Sequence, residues 1–107
     1  MKRMGKKEKF IMALDEGTST VRAIIWDHEI NIKGNASYEI SQIFPKPGWV
    51  EQDPAELWHL QVRATKDALR AANISANQIE AIGITNQRET KLIWDKKKKR
   101  VSPFLMR

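Results

Sequence analysis

Between Phe10 and Ile40 the chain alternates strand-length segments with turns of a few residues, and this spacing restricts the fold more than any other feature. Phe10, Ile11, Met12, Ala13 and Leu14 form a continuous apolar run, as expected of a strand covered on both faces. Residues 21–26 read as a second strand ending at Asp27, with His28 and Glu29 as a tight connection. Beyond it Ile30, Ile32, Ala36, Tyr38 and Ile40 share one parity, with Gly34 among them, while Glu29, Asn31, Lys33, Asn35, Ser37 and Glu39 hold the other. That alternation predicts a third strand with one wet face. Strands joined by turns this short run antiparallel, so residues 10–40 are expected to form a three-strand meander.

The first turn carries chemistry. Asp15, Glu16, Gly17, Thr18, Ser19, Thr20, Val21 and Arg22 put a carboxylate at a strand end, a glycine in the bend, hydroxyls around it and an arginine beyond. With no Cβ at Gly17, backbone N–H groups can approach an anion, Thr18 and Ser19 add donors, and Asp15 can hold Mg²⁺ directly or through water. The same residues suit an ordinary hairpin turn closed by small polar side chains, and taken alone the stretch admits both readings.

Further along, Phe44-Pro45-Lys46-Pro47-Gly48-Trp49-Val50-Glu51-Gln52 excludes regular helix, and Trp49 is expected to pin this loop to the body. Asp53, Pro54 and Glu56 then supply an N-cap, a proline at N1 and a glutamate at N3. Trp58, Val62, Leu69 and Ala72 predict one apolar stripe on the helix, broadened by Leu57, Leu60, Ala64, Ala68 and Ala71, with Asn73 as its stop. His59 has no visible acidic partner and reads as solvated or packed rather than catalytic. After a polar turn over residues 75–78, residues 79–84 make a fourth strand that ends in six polar residues, Thr85-Asn86-Gln87-Arg88-Glu89-Thr90. Leu92, Ile93 and Trp94 make a fifth. The helical crossover between the third and fourth strands implies a sheet of mixed direction, with sites gathering at the strand ends. Residues 96–100 turn the chain between Trp94 and Val101, and the last apolar residues, 101–107, stop before completing an element.

The 107 residues make one domain or part of one, and four tryptophans with 41% hydrophobic residues argue against disorder. Cysteine is absent and there are two histidines, which removes disulfides and thiolate metal sites and makes zinc a poor candidate. The net charge of +6 is confined to residues 1–9, residues 96–100 and Arg107, leaving residues 10–95 with eight basic and twelve acidic side chains. An acidic body with two basic segments does not call for a nucleic-acid partner, although such segments attract RNA or a membrane surface nonspecifically. No apolar run approaches a membrane span, and the basic start lacks the apolar stretch of a secretion signal, so a cytoplasmic protein is the default.

Four phrases in order carry a resemblance: Leu14-Asp15-Glu16-Gly17-Thr18 with Arg22; Phe44-Pro45-Lys46-Pro47-Gly48-Trp49-Val50-Glu51-Gln52-Asp53-Pro54; Ile82-Gly83-Ile84-Thr85-Asn86-Gln87-Arg88-Glu89-Thr90; and Ile93-Trp94-Asp95. From about Lys9 to Asp95 the chain resembles the N-terminal part of the glycerol-phosphorylating branch of the FGGY carbohydrate kinase family. The resemblance implies an incomplete α/β domain of the ribonuclease H-like, actin-like ATPase type: a mixed sheet with an antiparallel three-strand meander and a covering helix. Residues 1–9 would be a disordered basic tail and residues 10–107 part of the kinase's N-terminal domain.

ATP and Mg²⁺ are implied in a cleft between two such domains, with Asp15 near the metal and Thr18, Ser19, Thr20 and Arg22 facing the phosphates. Arg88 and Glu89 match the family's pair that hydrogen-bonds the glycerol hydroxyls. A guanidinium donates several hydrogen bonds and a carboxylate accepts them, which suits a small polyol.

The chain departs from the family at Glu16, where many members have glutamine, at Val21, usually serine, and in the lysine run. The family continues with a Trp-Gln and paired-arginine segment, a further substrate aromatic, the aspartate proposed as catalytic base and the adenine-binding domain, none of which lies in these 107 residues. The expectation is therefore the N-terminal part of an ATP-dependent glycerol-phosphorylating enzyme, with no catalytic base of its own and inactive as an isolated chain. Glycerol and ATP are the expected partners, homo-oligomers of the full-length protein remain open, and no membrane or specific nucleic-acid partner is expected. A metal-dependent nuclease would want an acid where the fourth strand ends in Asn86, Gln87 and Arg88. A non-catalytic binding or regulatory module using the basic ends is the other alternative.

Overall fold

The computed structural model describes residues 8–87 in full and the backbone of residues 91–95 and 100–106; the basic stretches at residues 1–7 and 96–99, with Arg88, Glu89, Thr90 and Arg107, lie outside the described residues. The elements are β1 (Phe10–Glu16), β2 (Thr20–Trp26), β3 (Ile32–Glu39), α1 (Pro54–Ala72), a single 3₁₀ turn (Ala76–Gln78), β4 (Ile79–Thr85), β5 (Lys91–Asp95) and β6 (Arg100–Met106). The main sheet has the order β3-β2-β1-β4. β1 pairs antiparallel with β2 and β2 with β3, as the short turns require, whereas β4 returns parallel to β1 after the α1 crossover.

The core lies between this sheet and α1. Met12 stands opposite Ile25 and Leu14 opposite Ala23, so Phe10, Met12, Ala23 and Ile25 share the face that meets Ala64 and Ala68 of the helix. A second small cluster, Val21, Ile40 and Leu57, closes the same layer near the hairpin end. Small residues let the helix approach closely: a Cβ built on Gly34 of β3 would stand 2.5 Å from the Ala68 carbonyl oxygen and 2.9 Å from the Ala72 nitrogen. Asp53 caps α1 by accepting from the Ala55 N–H at 3.0 Å, and Asn73 ends it in the left-handed conformation at φ 56°. Glu56 does not close a reciprocal box. It accepts the Ser41 N–H at 2.7 Å and so ties the helix start to the exit of β3.

Several expectations change in three dimensions. The buried stripe of α1 runs through Leu57, Gln61, Ala64 and Ala68, while Trp58 is 72% exposed. β1 is fully covered only on its helix side, because α1 lies on one face; Ile11 and Ala13 on the other are half-buried. Ile30 and Ile32 do not join the buried parity of β3. A register shift beside Trp26 pairs Ile25 with Gly34 but Trp26 with Ile32, and directly opposed residues share a face, so Ile32 follows Trp26 away from the helix.

The fourth strand extends to Thr85, and the final apolar segment is an element: β5 and β6 pair antiparallel as a separate ribbon, with Trp94 opposite Val101 and Asp95 opposite Arg100. The lysine run between them, where a turn was expected, lies outside the described residues.

Ile30 has φ 65°, an uncomfortable value for a β-branched residue, and Asp27 holds the turn that imposes it. The buried Asp27 carboxylate accepts the Glu29 N–H at 2.8 Å, the Asn31 N–H at 2.9 Å and the Asn31 amide at 3.1 Å, with the Lys33 ammonium 3.7 Å away. These bonds, the Asn31 N–H foremost, hold its pKa below the ordinary value against the opposing effect of burial. The charged form is the one the fold prefers, so the stability it contributes is present above the unfolded carboxylate pKa and lost as pH falls through the lower folded value. The melting temperature is therefore expected to drop on acidification below ~pH 4. In Asp27→Asn that part of the pH profile should flatten, and an unchanged profile would show that Asp27 plays no part in it.

Candidate active site

Opposite the helix, the sheet presents its chemistry at the hairpin end. Asp15 near the end of β1 pairs across the strands with Arg22 of β2 and, on its other side, with Thr85 at the end of β4. Because all three belong to the pleat pointing away from α1, they share one face. The Thr85 hydroxyl donates to Asp15 Oδ1 at 2.8 Å. Among the described residues no ion pair joins Asp15 to Arg22, and the Arg22 side chain is exposed.

The turn between the strands is tight and internally bonded. The Gly17 N–H donates to the Thr20 carbonyl at 2.8 Å, and a Cβ at Gly17 would press on that same oxygen at 3.1 Å. Thr18 and Ser19 are exposed at the tip and Thr20 is half-buried. The Ser19 carbonyl accepts the Ile40 N–H at 2.8 Å, anchoring the tip to the exit of β3. The stretch is a hairpin turn, and it displays hydroxyls beside a strand-end carboxylate.

The structure adds residues to which the sequence assigned no role. Gln52, 1% exposed, donates from Nε2 to the Thr18 carbonyl at 2.7 Å and accepts from Gln87 Nε2 at 2.8 Å, while Gln42 reaches the same carbonyl at 3.3 Å. This amide, rather than Trp49, secures the proline-rich loop. Trp49 is 43% exposed and lies under the Lys46 ammonium, 4.8 Å from its ring centre. Local sequence offered no signal for Gln52 or Thr85, since a glutamine beside an N-cap and a threonine at a strand end are ordinary until the strand order is known.

Arg88 and Glu89 lie outside the described residues, but Gln87, immediately before them, is placed by the Gln52 contact. β1 and β4 are neighbours, so the Asp15 turn and the segment entering Arg88 leave the same end of the sheet. Among the described residues no group of three or more His, Cys, Asp or Glu side chains could hold a metal ion. Asp15 alone is compatible with Mg²⁺, which keeps several waters and takes only one or two carboxylates. His59 is exposed on α1, and His28 pairs at the surface with Glu80 at 2.9 Å. Among the described residues no helix is long and apolar enough to cross a membrane.

Residues 10–106 match the N-terminal domain of the FGGY family of carbohydrate kinases. The chain belongs to this family. It is 60% identical over 89 residues to a glycerol kinase of Thermococcus kodakarensis and 52% identical over 90 residues to one of Escherichia coli, covering 83% and 84% of this chain. It spans 18% of the length of each of these relatives. Among solved structures, Plasmodium falciparum glycerol kinase with ADP superposes with a TM-score of 0.77 at 27% identity, over 92% of this chain and 20% of that one. Xylulose kinase from Rhodospirillum rubrum gives 0.79 at 22% identity over 92% and 20%, a likeness of fold alone. The meander, the crossover helix and the parallel fourth strand are thus part of the actin-like ATPase fold of FGGY kinases, as the sequence resemblance implied.

Proposed function

We propose that this FGGY segment supplies the N-terminal part of an ATP-dependent glycerol kinase, carrying phosphate-facing, metal-facing and polyol-facing residues but not the catalytic base. The observation that carries the reading is the Thr85–Asp15 hydrogen bond between the adjacent ends of β1 and β4. It brings the Asp15–Arg22 hairpin and the strand leading to Arg88 and Glu89 to one end of the sheet. In this reading Thr18, Ser19, Thr20 and Arg22 face the nucleotide phosphates, and Arg88 and Glu89 grip the glycerol hydroxyls.

The residues present fit the implied cofactors. The hairpin tip exposes Thr18 and Ser19, and the Asp15 carboxylate has one oxygen fixed by Thr85, which orients the other. Asp15 would hold Mg²⁺, directly or through water, and the ion would supply neutralisation of phosphate charge. Phosphoryl transfer asks mainly for positioning and charge stabilisation, so a segment that orients phosphates and acceptor contributes without performing proton transfer. Acceptance of the hydroxyl proton and most of the adenine contacts fall to other parts of the enzyme.

A chimaeric enzyme tests this directly. In it, the present segment replaces the matching 89 residues of the Thermococcus kodakarensis glycerol kinase. Glycerol-dependent phosphoryl transfer of the same order as in the parent is expected, whereas a folded but inactive chimaera would overturn the proposal. The isolated chain is expected to show no turnover in a coupled assay, and turnover by the purified chain would refute that part.

A further inference from the structure

The contacts of Gln52 go beyond closing a loop. Its side chain lies between the tip of the β1–β2 hairpin and the residue that follows β4 by two positions, bonded to Thr18 at 2.7 Å and to Gln87 at 2.8 Å. With the amide 1% exposed and engaged at both ends, its orientation is determined: a flip would set its oxygen against the Thr18 carbonyl and its NH₂ against the Gln87 amide nitrogen. A buried network of this kind is rigid when satisfied and costly when one member is lost.

The geometry points to Gln52 as a positioning residue that locks the Thr18–Thr20 turn to Gln87 at the exit of β4, so that the hairpin tip and the strand exit keep one spacing. The catalytic meaning of that spacing rests on the kinase reading above, whereas the mechanical coupling does not. Position is the whole of its contribution, because a carboxamide does not ionise near neutral pH and so is no general acid or base, and this one hydrogen-bonds to neither Asp15 nor Arg22. Leucine at this site would fill similar volume but leave the Thr18 carbonyl and the Gln87 amide without this partner. Glutamate would keep an acceptor for Gln87 while placing a second oxygen against the carbonyl.

Amide hydrogen exchange in the isotopically labelled 107-residue chain measures the coupling at two reporters, Gly17 N–H, bonded to Thr20, and Ile40 N–H, bonded to Ser19. Gln52→Leu is expected to accelerate exchange at both by ~fivefold or more, the scale of one lost hydrogen bond, while Met12 and Ile25 in the core keep their rates. Gln87→Ala should produce a similar acceleration in the parent background and none in Gln52→Leu. Unchanged rates in Gln52→Leu, or a Gln87→Ala effect that persists undiminished without Gln52, would overturn the proposal. Should Gln52→Leu lose its dispersed spectrum, Gln52→Glu serves instead. It should accelerate Gly17 and Ile40 while the Gln87 side-chain resonances stay in place, and unchanged reporter rates there would overturn it equally. An inactive chimaera leaves these exchange rates untouched, so the coupling and the kinase reading fail separately.

Discussion

Gly34→Val is expected to destabilise the chain by ~3 kcal/mol or more, at the upper end of what overpacking costs. The reason is the closeness of α1 to β3. A Cβ at Gly34 would stand 2.5 Å from the Ala68 carbonyl oxygen, 2.9 Å from the Ala72 nitrogen and 3.1 Å from the Ala72 Cβ. Two of these atoms are backbone inside a helix and cannot rotate away, so relief requires the whole helix to move off the sheet. That movement would open the contacts of Ala64 and Ala68, both fully buried, with Ala23 and Ile25. Since a domain of this size has a total stability of about 5–15 kcal/mol, a large part of it would go. Gly34→Ala should lie between the two. Chemical or thermal denaturation of the purified chain checks this, and a Gly34→Val midpoint equal to the parent's would mean that α1 does not lie on β3 as described.

Asp15→Ala, made in the chimaeric enzyme, is expected to lower kcat/KM for Mg-ATP by about 100-fold or more, the scale on which a group aimed at transition-state charge is usually felt. Stability should change little, by ~1 kcal/mol, because Asp15 gives up one hydrogen bond at the outer face of the sheet. The KM for glycerol should move less than the Mg-ATP term, since Arg88 and Glu89 follow a different strand. Thr85→Val separates orientation from charge: it removes the donor to Asp15 Oδ1 and leaves the carboxylate, so a smaller loss is expected. Activity of Asp15→Ala within twofold of the parent would remove Asp15 from the site.

How much of this was legible beforehand differs from element to element. The strands of the meander could be read because their signals are local: a run of apolar residues, an alternation, and turns too short for a crossover. The start and stop of α1 were equally plain, and Asp53 and Asn73 behave as their side chains predict. Which face of that helix is buried was not, because leucines, alanines and tryptophan surround it widely enough to admit more than one stripe. Docking chose the stripe with the small residues Ala64 and Ala68, since Gly34 permits close approach there, and left Trp58 outside. Ile30 and Ile32 were misjudged for a comparable reason. Their parity is right for a regular strand, but the Asp27 turn and the shift beside Trp26 break the alternation.

The candidate site divides along the same line. Residue chemistry marked Asp15, Gly17, Thr18, Ser19, Thr20 and Arg22 as a stretch able to meet phosphate and metal, because each group's capacity travels with its side chain, whereas the polyol role expected of Arg88 and Glu89 came from the family resemblance. Whether such groups converge depends on strand order, which no local pattern encodes. Pairing β1 with β4 in parallel set Thr85 beside Asp15, and burial of Gln52 bound Thr18 to Gln87 across stretches of chain more than thirty residues apart. Chain entropy opposes contacts over such separations until the sheet and helix have closed, so these contacts exist only in the folded structure.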